Sequence, residues 1–139
     1  GGRCFAYMFF QSRILYWKMK LQNKSLRGTS ARDFRFAPLP KAGLLDLYRE
    51  SRAVIDIQHP RQTGLTMRCI ETVGAKRKLI TTNGHIAEYD FYDPSNILIV
   101  DRQNPVVPPG FTASPYRDIP AEVYDRYRID RWLETILES

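Results

Sequence analysis

Long apolar runs are missing from this chain, and so are most of the residues that build metal centres or disulfide frameworks. Its 139 residues include two cysteines and two histidines. Cys4 and Cys69 stand far apart, without C-x-x-C spacing or a neighbouring histidine. Neither a disulfide framework nor a zinc site is expected, and a reducing cytosol suits such thiols. No apolar stretch approaches the length needed to span a bilayer, and no signal-peptide pattern opens the chain. The expected location is cytoplasmic, with any membrane contact peripheral, at the inner face of the cytoplasmic membrane. A P-loop and a G-x-G-x-x-G are both absent, which weighs against a nucleoside triphosphatase or a dinucleotide enzyme. Asp90 and Asp93 flank two aromatics and lack Asp-x-Asp spacing, so no metal and no cofactor are expected. No Ser/His/Asp or Cys/His order stands out.

Acid is nearly absent from the first quarter. Residues 1–36 hold eight Lys or Arg against Asp33, a net +7, whereas residues 37–139 sum to −1. The basic residues alternate with Phe5, Tyr7, Phe9, Phe10, Tyr16 and Trp17. Such a segment can attract an anionic membrane surface, or it can be a buried strand followed by a helix with a solvated basic face. No recognition motif for nucleic acid accompanies the charge, so no nucleic-acid partner is expected.

The remaining composition, 43% hydrophobic and 26% charged, is that of an ordinary globular domain. Strand-like apolar runs occur at residues 4–10, 33–37, 53–57, 79–83 and 97–100, with helical patterns between most of them. A final helix follows Pro120, with Ile129, Trp132, Leu133, Ile136 and Leu137 on one face. Nearly continuous apolar strands separated by helices predict a parallel sheet covered on both faces. The expected fold is therefore α/β: one doubly wound, Rossmann-like domain over residues 1–139, with about five parallel strands and a long C-terminal helix. Residues 1–36 would form its first, basic and aromatic, β-α unit. Ligands of such sheets bind outside the carboxyl ends of the strands, here the loops after residues 10, 57 and 82.

The second of these carries the most chemistry. Gln58-His59-Pro60-Arg61-Gln62-Thr63-Gly64 leads into a helix whose first N–H groups can receive an anion. Gly64 carries no side chain to hold a phosphate away. Thr63 is either part of that site or a plain N-cap. Further on, Glu71 is read as an inward-looking carboxylate able to accept hydrogen bonds from ligand hydroxyls, or else as the partner of Arg68 one turn earlier. His59, at the mouth of the loop, can bind phosphate or act as a base. Asp56 is read as a buried, hydrogen-bonded carboxylate supporting the cleft.

Residues 64–83, with Gly-Leu two turns before a Glu and then Leu-Ile-Thr-Thr-Asn, resemble the carboxyl-terminal, nucleotide-binding half of GT-B glycosyltransferases. The resemblance is closest to bacterial proteins of capsular or lipopolysaccharide biosynthesis, and the order of elements over residues 4–139 follows that half-domain. It implies that Glu71 binds the donor ribose and that the backbone of Gly64, Leu65 and Thr66 receives the diphosphate. Asn83, Thr63 and His59 complete the expected substrate site. Arg13 and Lys18, five apart after the first strand, match the family pair that neutralises the diphosphate, without its usual flanking glycines. Many retaining members carry a second glutamate eight residues before the ribose ligand; this chain has Thr63 there.

The resemblance thus implies a metal-independent glycosyltransferase whose partners are a nucleotide-sugar donor and, through a second domain, a glycan or lipid-linked acceptor. This length leaves no room for that second domain. A donor-binding half, inactive alone, is expected. The competing reading is a non-catalytic α/β interaction module, docking a partner chain or an anionic membrane through its basic N-terminal segment.

Overall fold

A computed structural model describes residues 4–138, the side chains of Ser25, Trp132 and Thr135 excepted. The fold is mixed α/β, and the chain divides into two compact units, residues 1–45 and 46–139.

The second unit holds the sheet. Strands β1 (Ala53–Asp56), β2 (Lys78–Thr81) and β3 (Ile97–Ile99) are all parallel and lie in the order β1-β2-β3. Helix α3 (Met67–Gly74) connects β1 to β2. Val54, Leu79 and Ile97 are neighbours across the ladder and point to one side. Leu79 and Ile97 join Cys69 and Val73 of α3, together with Ile86, Phe91 and Val123, in one buried core. As the central strand, β2 is buried at all four positions. That explains its unbroken apolar run and makes its buried lysine, Lys78, the exception needing partners. The Lys78 ammonium donates to the Ser95 carbonyl and to Ser114 Oγ, both at 2.7 Å, over the ring of Phe111.

Helix α3 ends in a tight turn. Lys76, at φ 53°, takes the left-handed conformation, and the Arg77 N–H returns to the Thr72 carbonyl at 3.0 Å. The turn reverses the chain into β2.

The first unit is built on rings rather than strands. Helix α1 (Arg13–Gln22) is capped by Ser12, whose hydroxyl accepts the Leu15 N–H at 3.1 Å. It buries Tyr16, whose ring centroid lies 5.5 Å from that of Phe10 and 5.2 Å from that of Phe34. Helix α2 (Lys41–Glu50) starts in this unit and ends in the second.

Two expectations need correction. Among the described residues three strands, not five, form the sheet. Residues 4–10 and 33–37 meet in a single parallel bridge, Phe9 to Arg35. The reason is local: Ser30 and Asp33 form a reciprocal capping box around the turn Ala31–Asp33, which uses Asp33 before a strand can start. Pro38 and Pro40 then supply no N–H to a ladder. The expected long C-terminal helix is two short ones, α4 (Ala121–Arg126) and α5 (Ile129–Leu137). Between them Arg128 is extended, and Tyr127 is tied sideways, its hydroxyl donating to Asp90 at 2.6 Å and its ring 4.7 Å from Phe91. The expected place of Trp132 on the apolar face lies outside the described side chains.

Candidate functional site

Strand β1 ends at Asp56, and a loop over residues 57–66 runs from it to the start of α3. The Asp56 side chain, in a residue only 2% exposed, is the hub of this turn. Thr66 Oγ1 donates to its Oδ2 at 2.9 Å, and the Cys69 thiol donates to the same oxygen at 3.3 Å. The Arg68 guanidinium stands 3.6 Å from Oδ1. A buried carboxylate requires such partners, since leaving it unpaired is strongly unfavourable. Burial, opposed by the Thr66 hydrogen bond and reinforced by the Asp56 charge, pushes the Cys69 thiol pKa up. The thiol therefore stays a neutral donor. Asp56 supports the loop from below, as its sequence context suggests.

The start of α3 is three residues later than the sequence pattern implies. Thr66, not Thr63, is the N-cap: its backbone is extended, and its hydroxyl oxygen accepts the Cys69 N–H at 3.3 Å. Of the first-turn donors, Met67 and Arg68 N–H have no carbonyl within the helix to bond. Thr63 and Gly64 stay in the loop because Asn83 reaches across to them. The buried Asn83 amide donates to the Thr63 carbonyl at 3.5 Å and the Gly64 carbonyl at 3.3 Å, while its Oδ1 accepts the His85 N–H at 3.0 Å. Asn83 is thus a clamp under the loop. At Gly64 an added Cβ would meet nothing within 4 Å, so the fold itself does not demand glycine there. Leu65 is half-buried against the core cluster. His59 is exposed, and its Nδ1 accepts the Arg61 N–H at 3.2 Å.

Glu71 is exposed, not inward-looking. Helical geometry explains this. Cys69, Thr72 and Val73 occupy the buried side of α3, and Glu71 falls on the side away from Cys69 and Val73. Its partner is not Arg68, which turns to Asp56. Instead the buried Tyr48 of α2 donates its hydroxyl to Glu71 Oε2 at 3.1 Å. Among the described residues that is the carboxylate's one hydrogen bond, and Oε1 is left for another donor. Burial, opposed by the Thr72 hydrogen bond and reinforced by the Glu71 charge, raises the Tyr48 pKa, so the phenol remains protonated and orients the carboxylate. Glu71 lies about 6 Å along the axis from the first residue of α3.

The structure therefore brings Thr63, Gly64, Thr66 and Asn83 into one hydrogen-bonded assembly around the end of β1, with Glu71 just over one turn into α3. Arg13 and Lys18 belong to α1 in the first unit, where the Arg13 guanidinium lies 5.4 Å from the centre of the Phe36 ring. Two residues of the second unit join the site without a motif to mark them. Tyr48 ends an apolar run at helical spacing with Leu44, Leu45 and Leu47, and its hydroxyl is the one sign of a polar task. Arg102, beyond β3, donates to the Gln58 carbonyl and approaches Thr82 Oγ1 at 3.5 Å, a cation at the carboxyl ends of β1 and β2. Its position one loop past a strand is the signal that could have found it. A small apolar hollow of about 110 Å³ lies elsewhere, walled by Ile70, Val73, Phe91, Tyr124 and Tyr127. Glu71 is not one of its walls.

Comparison with family models, with curated proteins and with solved structures finds no match to this chain.

Proposed function

We propose that the chain is the donor-binding half of a metal-independent, GT-B-like glycosyltransferase of bacterial capsule or lipopolysaccharide assembly. In this reading residues 46–139 contribute part of a doubly wound, Rossmann-like domain. The observation that carries the proposal is the pairing of an open helix start with an oriented, half-free carboxylate just over one turn along the same helix. The diphosphate would sit on backbone N–H groups of the loop and of Met67 and Arg68, where the helix dipole favours an anion. Arg68 and Arg102 would supply positive charge to the departing diphosphate, an electrostatic contribution that needs no metal. Glu71, with Oε2 fixed by Tyr48, would accept the ribose hydroxyls through Oε1. Asp56 and Asn83 would act as positioning residues that keep the loop in shape. The acceptor and the catalytic base would belong to a second domain, so binding without turnover is the expected property of this chain.

Titration with UDP, GDP and CMP, followed by amide chemical shifts, tests this. Saturable binding of one of them is expected, with shifts concentrated in residues 57–71. Glu71→Ala should weaken it tenfold or more, because hydrogen bonds to a carboxylate are worth about 1.5–3 kcal/mol. Tyr48→Phe should weaken it less, by removing the orientation and keeping the acceptor. No saturable response, or full affinity in the Glu71→Ala variant, would overturn the proposal.

A further inference from the structure

Helix α1 buries one side and leaves a second apolar stripe in the open. Tyr16 is fully buried against the rings of Phe10 and Phe34. On a different side Ile14, Trp17 and Leu21 are 83%, 55% and 82% exposed. Their spacing of three, then four, residues aligns them in a strip about 60° wide along the helix. Nothing on a solvated helix requires three large apolar residues in a row on its outer side. Scattered exposed apolar residues are ordinary, whereas an aligned set marks a contact surface.

The charge around the strip says what covers it. Between residues 4 and 45 eight Lys or Arg face one acid, Asp33. That acid is already engaged, accepting the Ser30 N–H at 2.6 Å. Helical geometry puts Lys18 beside Ile14 on one border of the strip and Lys20 near Trp17 on the other. The Lys20 ammonium lies 5.3 Å from the centre of the Trp17 ring and donates to the Thr29 carbonyl at 2.5 Å, which holds ring and cation together. Lys24 and Arg27 are exposed just beyond the helix end. A second copy of the same strongly positive unit would be repelled. A nucleic acid would satisfy the cations but would leave the aliphatic Ile14 and Leu21 without a partner. An anionic lipid surface satisfies both, with acyl chains for the strip and headgroup phosphates for the lysines. Tryptophan suits that boundary, one edge apolar and one edge polar.

We infer that α1 is an interfacial membrane-docking helix, lying in the plane of an anionic bilayer with Ile14, Trp17 and Leu21 inserted and Lys18 and Lys24 at the phosphates. The inference is independent of the nucleotide site, since it uses only residues of the first unit.

The test is vesicle flotation with the full chain. Vesicles of phosphatidylcholine containing about a third phosphatidylglycerol should bind it, and pure phosphatidylcholine should not. Binding should fall with added salt, and each of Lys18→Gln and Lys24→Gln should weaken it about fivefold. The double change Ile14→Ser, Leu21→Ser should weaken it more than tenfold while leaving the circular dichroism intact, because both side chains are exposed. In a Trp132→Phe background with the strip unaltered, Trp17 emission should be quenched by lipids brominated in the acyl chain. Four outcomes would overturn the inference. These are no binding, equal binding to neutral vesicles, binding unaffected by the Ile14/Leu21 change, or a lipid-free dimer abolished by that change.

Discussion

The two units of this chain are closed by different means. Residues 46–139 use a parallel sheet with aliphatic and aromatic side chains mixed over it, from Leu79 and Ile97 to Phe91. Residues 4–45 have no sheet and close on rings, with Tyr16 set against Phe10, Phe34 and Phe36. Charge is handled differently too. Every ion pair found among the described residues lies in the second unit, from Arg49–Asp46 to Arg131–Glu134. The first unit directs cations onto rings and carbonyls instead, Arg13 over Phe36 and Lys20 to Thr29. With its single acid already bonded to Ser30, the segment leaves its cations to rings, carbonyls and water. The lesson is that excess charge of one sign shapes packing as well as partners: it leaves cations to be held by aromatic faces.

The sharpest way to break this comparison is to remove a ring from the second unit and a ring hydroxyl from the first. Phe91 is 2% exposed, with Tyr89 and Tyr127 against it. Phe91→Ala should cost the second unit about 4 kcal/mol, as large-to-small changes of buried aromatics do. In the first unit Tyr16→Phe keeps the packing and deletes the hydroxyl that meets the Thr29 carbonyl at 3.0 Å. It should cost about 1 kcal/mol. Urea unfolding followed by amide signals of each unit reads both. A loss near 1 kcal/mol for Phe91→Ala would mean that the aliphatic residues, not the rings, hold the second unit.

A second pair of changes compares buried lysines. Lys78 is 2% exposed and donates to Ser95 and Ser114, whereas Lys20 is half-buried and donates to Thr29. Replacing Lys78 by Met leaves two acceptors short of a donor and should cost about 2 kcal/mol. Lys20→Met should cost under about 1 kcal/mol, because water can reach the vacated carbonyl. Equal losses measured by denaturation would show that burial does not separate the two ammonium groups.

How much of this was legible in the sequence follows the same division. In the second unit the strands at residues 53–57 and 79–83 and the helix between them were readable, because a parallel β-α-β unit leaves long apolar runs, buried throughout in β2 though Ile55 of β1 is half exposed. The loop, the helix and Asp56 came with it. The outward turn of Glu71 follows from Cys69 and Val73, two positions before and two after it, which set the buried side of the helix wherever it begins. The start at Met67 was not legible, because it is made by Thr66, which is tied to Asp56 ten positions back in sequence. Tyr48 was hidden for a similar reason: a hydroxyl on an apolar stripe gives no hint of a partner on another helix. In the first unit, alternating aromatics looked like strands because rings favour strands on average. There they are used for ring-on-ring contact, and the Ser30–Asp33 capping box stops the second run from extending.

The smallest expected effect concerns acid. Both the hydroxyl and the N–H of Ser95 donate to Asp93 Oδ1, at 2.6 and 2.8 Å, just before β3. The hydroxyl bond first and the backbone bond second stabilise the ionised carboxylate and hold its pKa below the ordinary aspartate value. In the unfolded chain that carboxylate takes up a proton at the ordinary value, while in the native chain it resists until the pH is lower. The stability it contributes is therefore fully present above the ordinary value and is lost as pH falls through the native one. Ser95→Ala keeps the N–H donor and deletes the stronger one. The urea midpoint of the variant should therefore decline less than that of the parent between about pH 5 and pH 2, the two curves drawing together in acid. Parallel curves would show that the Ser95 hydroxyl does not set the acid sensitivity of this unit.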